Sequence, residues 1–226
     1  MHDTRPHLQG GTVVRDLATA FDLAPAQAEA VMRAVMPELA RHLEQNTLSR
    51  SGLADLVAAL GSGHHAKYVD GDKPFSDVAA RADGTAILGH ILGSKARSRA
   101  LAARAARQTG VSEGRIRSML PALAVLAMGG LAVRARASLG EVLKVMPSLG
   151  RCSRGSPHAD LADILRRGCG AGPYAAPKLR RAVRRAVARA GGFSARGPVR
   201  WYLHFMLARP ALAPVRAVAA RMLTRQ

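Results

Sequence analysis

Residues 83–136 read DGTAILGHILGSKARSRALAARAARQTGVSEGRIRSMLPALAVLAMGGLAVRAR, and this stretch decides the fold. Asp83 and Ser94 are placed to cap two successive helices at their N-termini, and Gly110 is placed to end the second of them. A third helix carries an apolar run over residues 119–133. These 15 residues are fewer than the roughly 18 that span a bilayer. The stretch therefore predicts a buried central helix of a soluble protein and no transmembrane segment.

The chain upstream of this stretch is also predicted to be helical. A first helix covers about residues 13–21, and Pro25 suits the first turn of a second helix, where its missing N–H would be unpaired anyway. Pro37 lies inside the second helix and is expected to kink or restart it. A short helix is expected at residues 52–60, followed by a polar loop to residue 82.

Charge divides the chain near residue 150. The whole chain has a net charge of +19, and residues 151–226 hold 16 basic and only two acidic residues. The remaining two thirds of the chain hold 18 basic and 13 acidic residues. Acidic partners for i,i+4 pairing are thus nearly absent from the C-terminal third, which indicates a surface for an anionic partner.

The fold class predicted from these patterns is all-α: a compact multi-helix bundle with an Arg-rich, partly helical C-terminal extension. Only 4% of the residues are aromatic, and Ala, Leu and Val supply the apolar bulk, which favours helix packing. We expect a disordered N-terminus at residues 1–11, a helical domain at 12–138 and a basic Arg/Ala-rich extension at 139–226. Cys152 and Cys169 are not spaced as a metal or disulfide motif, so we expect two free thiols in a reducing cytosol.

Several motifs together resemble a known family. They are GHHAKYVD at residues 63–70, ADGTAILGHILGSK at 82–95, QTG at 108–110, and MLP followed by MGGL within 119–131. The combination resembles the bacterial domain-of-unknown-function family 937 over about residues 12–136, and more distantly the YidB-like proteins. The resemblance implies an all-α fold and a bacterial source, and it implies no substrate, cofactor or catalytic residue.

The chain departs from that family in two places. Ala96 stands where the family pattern leads us to expect an acidic residue, and the C-terminal third is Arg-rich where the family tends to a Gly- and Leu-rich tail. A shifted reading frame of GC-rich DNA would also encode such an Arg-, Ala-, Gly- and Pro-rich stretch. This gives an alternative hypothesis for the residues after about 150.

Two polar groupings in the first part of the chain have candidate chemistry. His64, His65, Asp70 and His90 have side chains that suit a metal ion, but the adjacent histidines point apart in most backbone conformations, and we favour ordinary hydrogen-bonding or exposed histidines. The Gly-Ser-Lys sequence at residues 93–95 offers an anion site at a helix start, but it lacks P-loop spacing. An ordinary N-cap is the preferred interpretation.

The C-terminal third contains a predicted cationic amphipathic helix at residues 177–190. Its apolar side chains fall on one helical face: Leu179, Val183, Ala186, Val187 and Ala190. The candidate polyanion-binding residues spread over the opposite side: Lys178, Arg180, Arg181, Arg184, Arg185 and Arg189. Nucleic-acid phosphates and an anionic lipid surface are both candidate partners. The aromatic patch at residues 201–207 suits a core, a membrane interface or a base-stacking platform, and the core interpretation is preferred.

The function predicted from these observations is a cytoplasmic, non-catalytic interaction module with an unidentified protein partner. The alternative is polyanion binding, to nucleic acid or an anionic membrane surface, through the basic helix. An enzyme of unrecognised class stands third, because no G-x-S-x-G, H-E-x-x-H or dinucleotide motif is present. We accordingly predict no catalytic residue, no cofactor and no metal.

Overall fold

The computed structural model of the protein describes residues 10–62, 65, 68, 78–144, 156–168 and 175–191. These residues form eight α-helices, and no strand occurs within the described ranges. The helices are α1 (Gly10–Ala20), α2 (Pro25–Asn46), α3 (Arg50–Gly61), α4 (Val78–Leu92), α5 (Lys95–Thr109), α6 (Glu113–Lys144), α7 (Pro157–Arg167) and α8 (Ala176–Gly191). The predicted all-α fold is confirmed.

Helix α6 is the centre of the bundle. Every residue from 122 to 132 is buried, and a helix that is apolar on all sides must be surrounded by other helices. Helices α2, α3, α4, α5, α7 and α8 all pack against it. By length and composition α6 is apolar enough to cross a membrane, but 78% of its apolar window is buried inside the protein. It is a core helix, as the apolar run predicted.

The predicted helix boundaries around α5 are confirmed. The hydroxyl oxygen of Ser94 accepts a hydrogen bond from the backbone N–H of Arg97 at 3.2 Å, which caps the N-terminus of the helix. Gly110 follows the C-terminus with a φ of +71°, a left-handed conformation that glycine adopts without a steric penalty. Val111, the next residue, is buried and provides the apolar contact that commonly accompanies such a cap.

One local prediction was wrong, and one of the two outcomes expected at Pro37 does not occur. Asp83 does not cap α4, because the helix begins at Val78 and the Asp83 carboxylate instead accepts a hydrogen bond from the hydroxyl of Tyr68. Pro37 does not restart α2, which runs unbroken from Pro25 to Asn46. Buried side chains on both sides of Pro37, including Val35 and Leu39, hold the helix against the core and offset the lost backbone hydrogen bond.

The predicted boundary at residue 138 falls inside α6. Ser138 donates a hydrogen bond to the carbonyl oxygen of Ala186 in α8 at 3.2 Å, so the end of α6 is joined to the predicted extension. Apolar residues of α7 and α8 belong to the same core cluster as those of the first six helices. The described helices of the basic extension, α7 and α8, are thus part of the bundle. Helix α1 begins at Gly10, and residues 1–9 of the predicted disordered N-terminus lie outside the described residues.

Helices α3 and α7 pack closely against each other. The side chain of His158 lies so close to Gly61 that a β-carbon at that position would overlap it.

The turn at residues 47–49 joins α2 to α3. At its start, the side-chain amide of Asn46 donates to the carbonyl oxygens of His90 and Ile91, at 2.9 and 3.2 Å. These bonds tie the C-terminal ends of α2 and α4 together.

Candidate functional site

Packing against α6 determines which face of α8 is exposed. The predicted apolar face is buried, with Val183 and Ala186 at 0% exposure, Val187 at 1% and Leu179 at 3%. These side chains belong to the main core cluster. The cationic face of the helix must therefore point away from the bundle.

The cationic face carries the six residues predicted from the sequence. Five of them are exposed, and Arg180 is half-buried. Within the part of the chain that the structure describes, no carboxylate forms an ion pair with any of the six. Arg189 Nε donates a weak hydrogen bond of 3.4 Å to the carbonyl oxygen of Arg185, and this bond does not neutralise its charge. The charge on this face is thus available to a partner.

Four of the six residues meet at one groove between α8 and the C-terminal end of α2, here called the basic groove. It has a volume of about 490 Å³ and is lined by Glu44, Thr47, Pro177, Arg180, Arg181, Arg184, Arg185, Val187 and Ala188. Lys178 and Arg189 do not line it. Glu44 is the single carboxylate among these nine lining residues, and the C-terminal end of α2 adds partial negative charge. Both reduce the repulsion among the arginines without neutralising them.

A fifth arginine, which no sequence pattern indicates, lies beside the basic groove. Arg50, the first residue of α3, lines a smaller cavity of about 100 Å³ together with Arg180 and Pro177 of α8. Its guanidinium lies against Gly168, where φ is +72°. No local pattern marks Arg50, because only the packing of α3 against α7 and α8 brings it to the basic face.

A second candidate region, here called the polar cleft, lies between α3 and α4. It has a volume of about 450 Å³. Helix α2 supplies one end and Met128 of α6 part of the floor. Among the described residues, its lining is Leu43, Asn46, Ser49, Ser51, Gly52, Asp55, Leu56, Ala59, His65, Asp83, Ala86, Ile87, His90, Ile91 and Met128.

Hydrogen bonds fix the polar side chains around this cleft. Asn46 holds the end of α4 through the two bonds described above, and Asp83 accepts the hydroxyl hydrogen of Tyr68, which is only 1% exposed. Asp55 pairs with Arg166 of α7 at 2.8 Å between Oδ1 and Nη2. The walls of the cleft are therefore linked to α2, to α7 and to Tyr68.

The candidate histidine cluster is brought together in part. His65 and His90 line the polar cleft, whereas His64 and Asp70 lie outside the described residues. Among the residues that the structure does describe, no group of three or more His, Cys, Asp or Glu side chains is placed to hold a metal ion.

Three further predictions have different outcomes. The candidate anion site at residues 93–95 is an ordinary N-cap, in which the Ser94 side chain caps the N-terminus of α5. The aromatic patch at residues 201–207 and both cysteines lie outside the described residues.

Comparisons with known proteins gave one match. The model of a family described as "Bacterial protein of unknown function (DUF937)" matches residues 7–134. Neither the curated proteins nor the solved structures contain a match to this chain.

Proposed function

Because the chain belongs to the bacterial family of unknown function DUF937, we propose a function from its surfaces: it is a helical interaction module that binds nucleic acid through the basic groove. The binding residues are Arg180, Arg181, Arg184 and Arg185, with Arg50, Lys178 and Arg189 beside them. The proposed place of action is the bacterial cytoplasm, where nucleic acid is abundant.

The position of α8 carries this proposal. The apolar face of α8 is buried in the core, so the position of the helix is fixed and its arginines face solvent. Because the helix is already ordered, binding a partner costs little conformational entropy of the backbone. Arginine forms paired hydrogen bonds to phosphate oxygens, and each phosphate that it neutralises releases condensed counterions. A rigid row of arginines along a groove suits a backbone that carries one phosphate after another.

The same burial makes an anionic lipid surface the weaker candidate. An amphipathic helix binds a bilayer interface by inserting its apolar face among the lipid chains. Leu179 and Val183 are already packed against the bundle, and insertion would require α8 to leave it. Lipid binding would then depend on charge alone.

The proposal is tested by the affinity of full-length protein for a fluorescein-labelled DNA duplex, measured by fluorescence anisotropy at several salt concentrations. With about six phosphate contacts, affinity should fall about a thousandfold between about 50 and 200 mM salt. The triple variant Arg181→Gln, Arg184→Gln, Arg185→Gln should reduce the slope of log K against log salt by about 2 to 3. All three side chains are exposed, so the fold should tolerate the change.

The matched control is Arg15→Gln, Arg99→Gln, Arg107→Gln, which removes the same charge from exposed positions on α1 and α5. This control should keep most of the salt slope. An equal loss in the two triple variants would show that only net charge matters and would overturn the assignment to the basic groove. Tight binding to phosphatidylserine vesicles with no binding to DNA would overturn the choice of nucleic acid.

A further inference from the structure

The small cavity beside the basic groove has the size of a single phosphate group. It is here called the end cavity, has a volume of about 100 Å³ and is lined by Arg50, Leu165, Gly168, Ala176, Pro177 and Arg180. One water molecule takes up about 30 Å³ of the liquid, so the end cavity has room for a compact group of a few heavy atoms. A drug-sized ligand, whose pocket usually measures about 300 Å³ or more, does not fit.

Two arginines from different helices bring positive charge to the end cavity. Arg50 is the first residue of α3, and Arg180 lies near the start of α8. Within the described ranges, neither arginine forms an ion pair with a carboxylate. Residues 169–174, which connect the lining residues Gly168 and Ala176 along the chain, contain no acidic residue. Two guanidinium groups at one small cavity repel each other, and an anion between them offsets this repulsion.

The helix ends at the end cavity leave the arginines as its main charges. The N-terminal end of α8, at Ala176, carries partial positive charge, and the C-terminal end of α7, next to Gly168, carries partial negative charge. These partial charges are of similar size and offset each other. A guanidinium donates paired hydrogen bonds to the oxygens of a phosphate. The cavity therefore suits an anion that has several free oxygens.

The end cavity shares two of its lining residues, Pro177 and Arg180, with the basic groove. A strand that follows the groove towards the N-terminus of α8 therefore reaches the cavity. An internal phosphate does not fit, because the chain continues from it in two directions. A terminal phosphate has three free oxygens, and as a monoester it carries a charge of about −1.5 to −2 at pH 7. It matches both the size and the charge of the end cavity.

We propose that the end cavity binds the terminal phosphate of a nucleic-acid strand, held by Arg50 and Arg180, while the strand continues along the basic groove. This inference rests on the proposed function and names the part of the nucleic acid that the protein recognises. The basic groove supplies affinity for any phosphate backbone, and the end cavity distinguishes a phosphorylated end from a hydroxyl end.

The experiment compares three versions of one short blunt DNA duplex, which carry hydroxyl groups at all ends, 5′-phosphates or 3′-phosphates. Fluorescein is attached to an internal thymine, so that all ends are free, and the affinity of full-length protein is measured by fluorescence anisotropy. One of the phosphorylated duplexes should bind at least about tenfold more tightly than the hydroxyl duplex, because hydrogen bonds between charged groups contribute about this factor. Equal affinity of all three would overturn the end site and leave the proposed function standing. No binding of any duplex would overturn both.

Substitutions test whether the preference for a phosphorylated end arises in the cavity. Arg50→Gln should remove this preference, so that the phosphorylated and hydroxyl duplexes bind with equal affinity. Arg99→Gln is the matched control, because Arg99 is an exposed arginine of α5 that lines neither the cavity nor the groove, and it should leave the preference intact. The triple variant Arg181→Gln, Arg184→Gln, Arg185→Gln should weaken the binding of every duplex and keep the ratio between them. A preference that survives Arg50→Gln would overturn the proposal.

Free phosphate is the other source of the same chemistry, so inorganic phosphate is added as a competitor of the phosphorylated duplex. The groove also holds a strand whose end lies in the cavity. Phosphate should therefore compete only at concentrations at least about a hundredfold above the dissociation constant of the duplex. Competition at concentrations near that dissociation constant would make free phosphate the ligand and would overturn the assignment to a strand end.

Discussion

Gly84 of α4 lies directly against the backbone of Pro121 in α6, so closely that a β-carbon at Gly84 would overlap the Pro121 carbonyl oxygen. This contact sets the distance between the helix that carries Asp83 and His90 and the central helix of the bundle. Gly84, which follows the predicted cap residue Asp83, thus lies at a helix–helix contact where glycine is required for its small size.

The first prediction compares two glycines of α4. Gly84→Ala should destabilise the protein by about 1 to 3 kcal/mol, because the added methyl group forces α4 away from α6. Gly89→Ala, whose β-carbon would meet no atom within 4 Å, should stabilise it by about 0.5 to 1 kcal/mol through helix propensity. Urea denaturation of both variants measures the difference. Equal effects of the two substitutions would contradict the close contact.

A second prediction concerns the cap of α5. Ser94→Ala removes the oxygen that accepts from the Arg97 N–H, and it should cost about 1 kcal/mol of stability. Ser98→Ala, one turn further into the same helix, serves as the control and should be neutral or slightly stabilising. Thermal melts followed by circular dichroism report both. A loss confined to Ser98→Ala would refute the assignment of Ser94 as the cap.

The third prediction tests whether α8 belongs to the core. Leu179 is 3% exposed, so Leu179→Ala should destabilise the whole protein by about 2 to 5 kcal/mol. Its exposed neighbour gives the control: Lys178→Ala should change the stability by less than about 0.5 kcal/mol. The free energy of unfolding is again measured in urea. If both substitutions were harmless, α8 would not be packed against α6.

The fourth prediction is a pH dependence. Burial of His158 against α3 lowers its pKa below the ordinary value of 6.5. The unfolded chain then binds a proton more readily than the folded one, so stability is complete above pH 6.5 and is lost as the pH falls below it. We expect the urea midpoint to drop between about pH 7.5 and 5.5.

His158→Gln should reduce this drop, because glutamine does not titrate. Some dependence should persist, since the pKa of His42 is also lowered, chiefly by burial. An unchanged pH dependence in His158→Gln would show that the α3–α7 contact does not sense protonation of this residue.

Local signals explain which parts of the fold the sequence predicts. The caps at Ser94 and Gly110, the proline at the start of α2 and the apolar run of α6 act within one or two helical turns, and all four were interpreted correctly. Asp83 was misplaced because its partner, Tyr68, is fifteen residues away, and a pattern of capping residues contains no information about such a contact.

The two candidate sites show the same limit. The cationic face of α8 was predicted from helical spacing alone, since its members lie within a dozen residues. Arg50 lies at that surface only because α3 packs beside α8, which helical spacing does not predict. The polar cleft is formed by residues of α2, α3, α4 and α6, so it depends on how these helices pack. Histidines 65 and 90 were recognised as chemically notable, but Asn46 and Asp55 were not, because neither lies in a motif.

The short turn between α2 and α3 contributes to both candidate sites. Asn46 and Ser49, at its two ends, line the polar cleft, while Thr47 lines the basic groove and Arg50 the cavity beside it. A displacement of this turn therefore alters both surfaces at once. If occupancy of the cleft shifts the turn, affinity at the groove must change by some factor, and occupancy of the groove must change affinity at the cleft by the same factor. Residues 46–50 are therefore the segment that the polar cleft and the basic surface have in common.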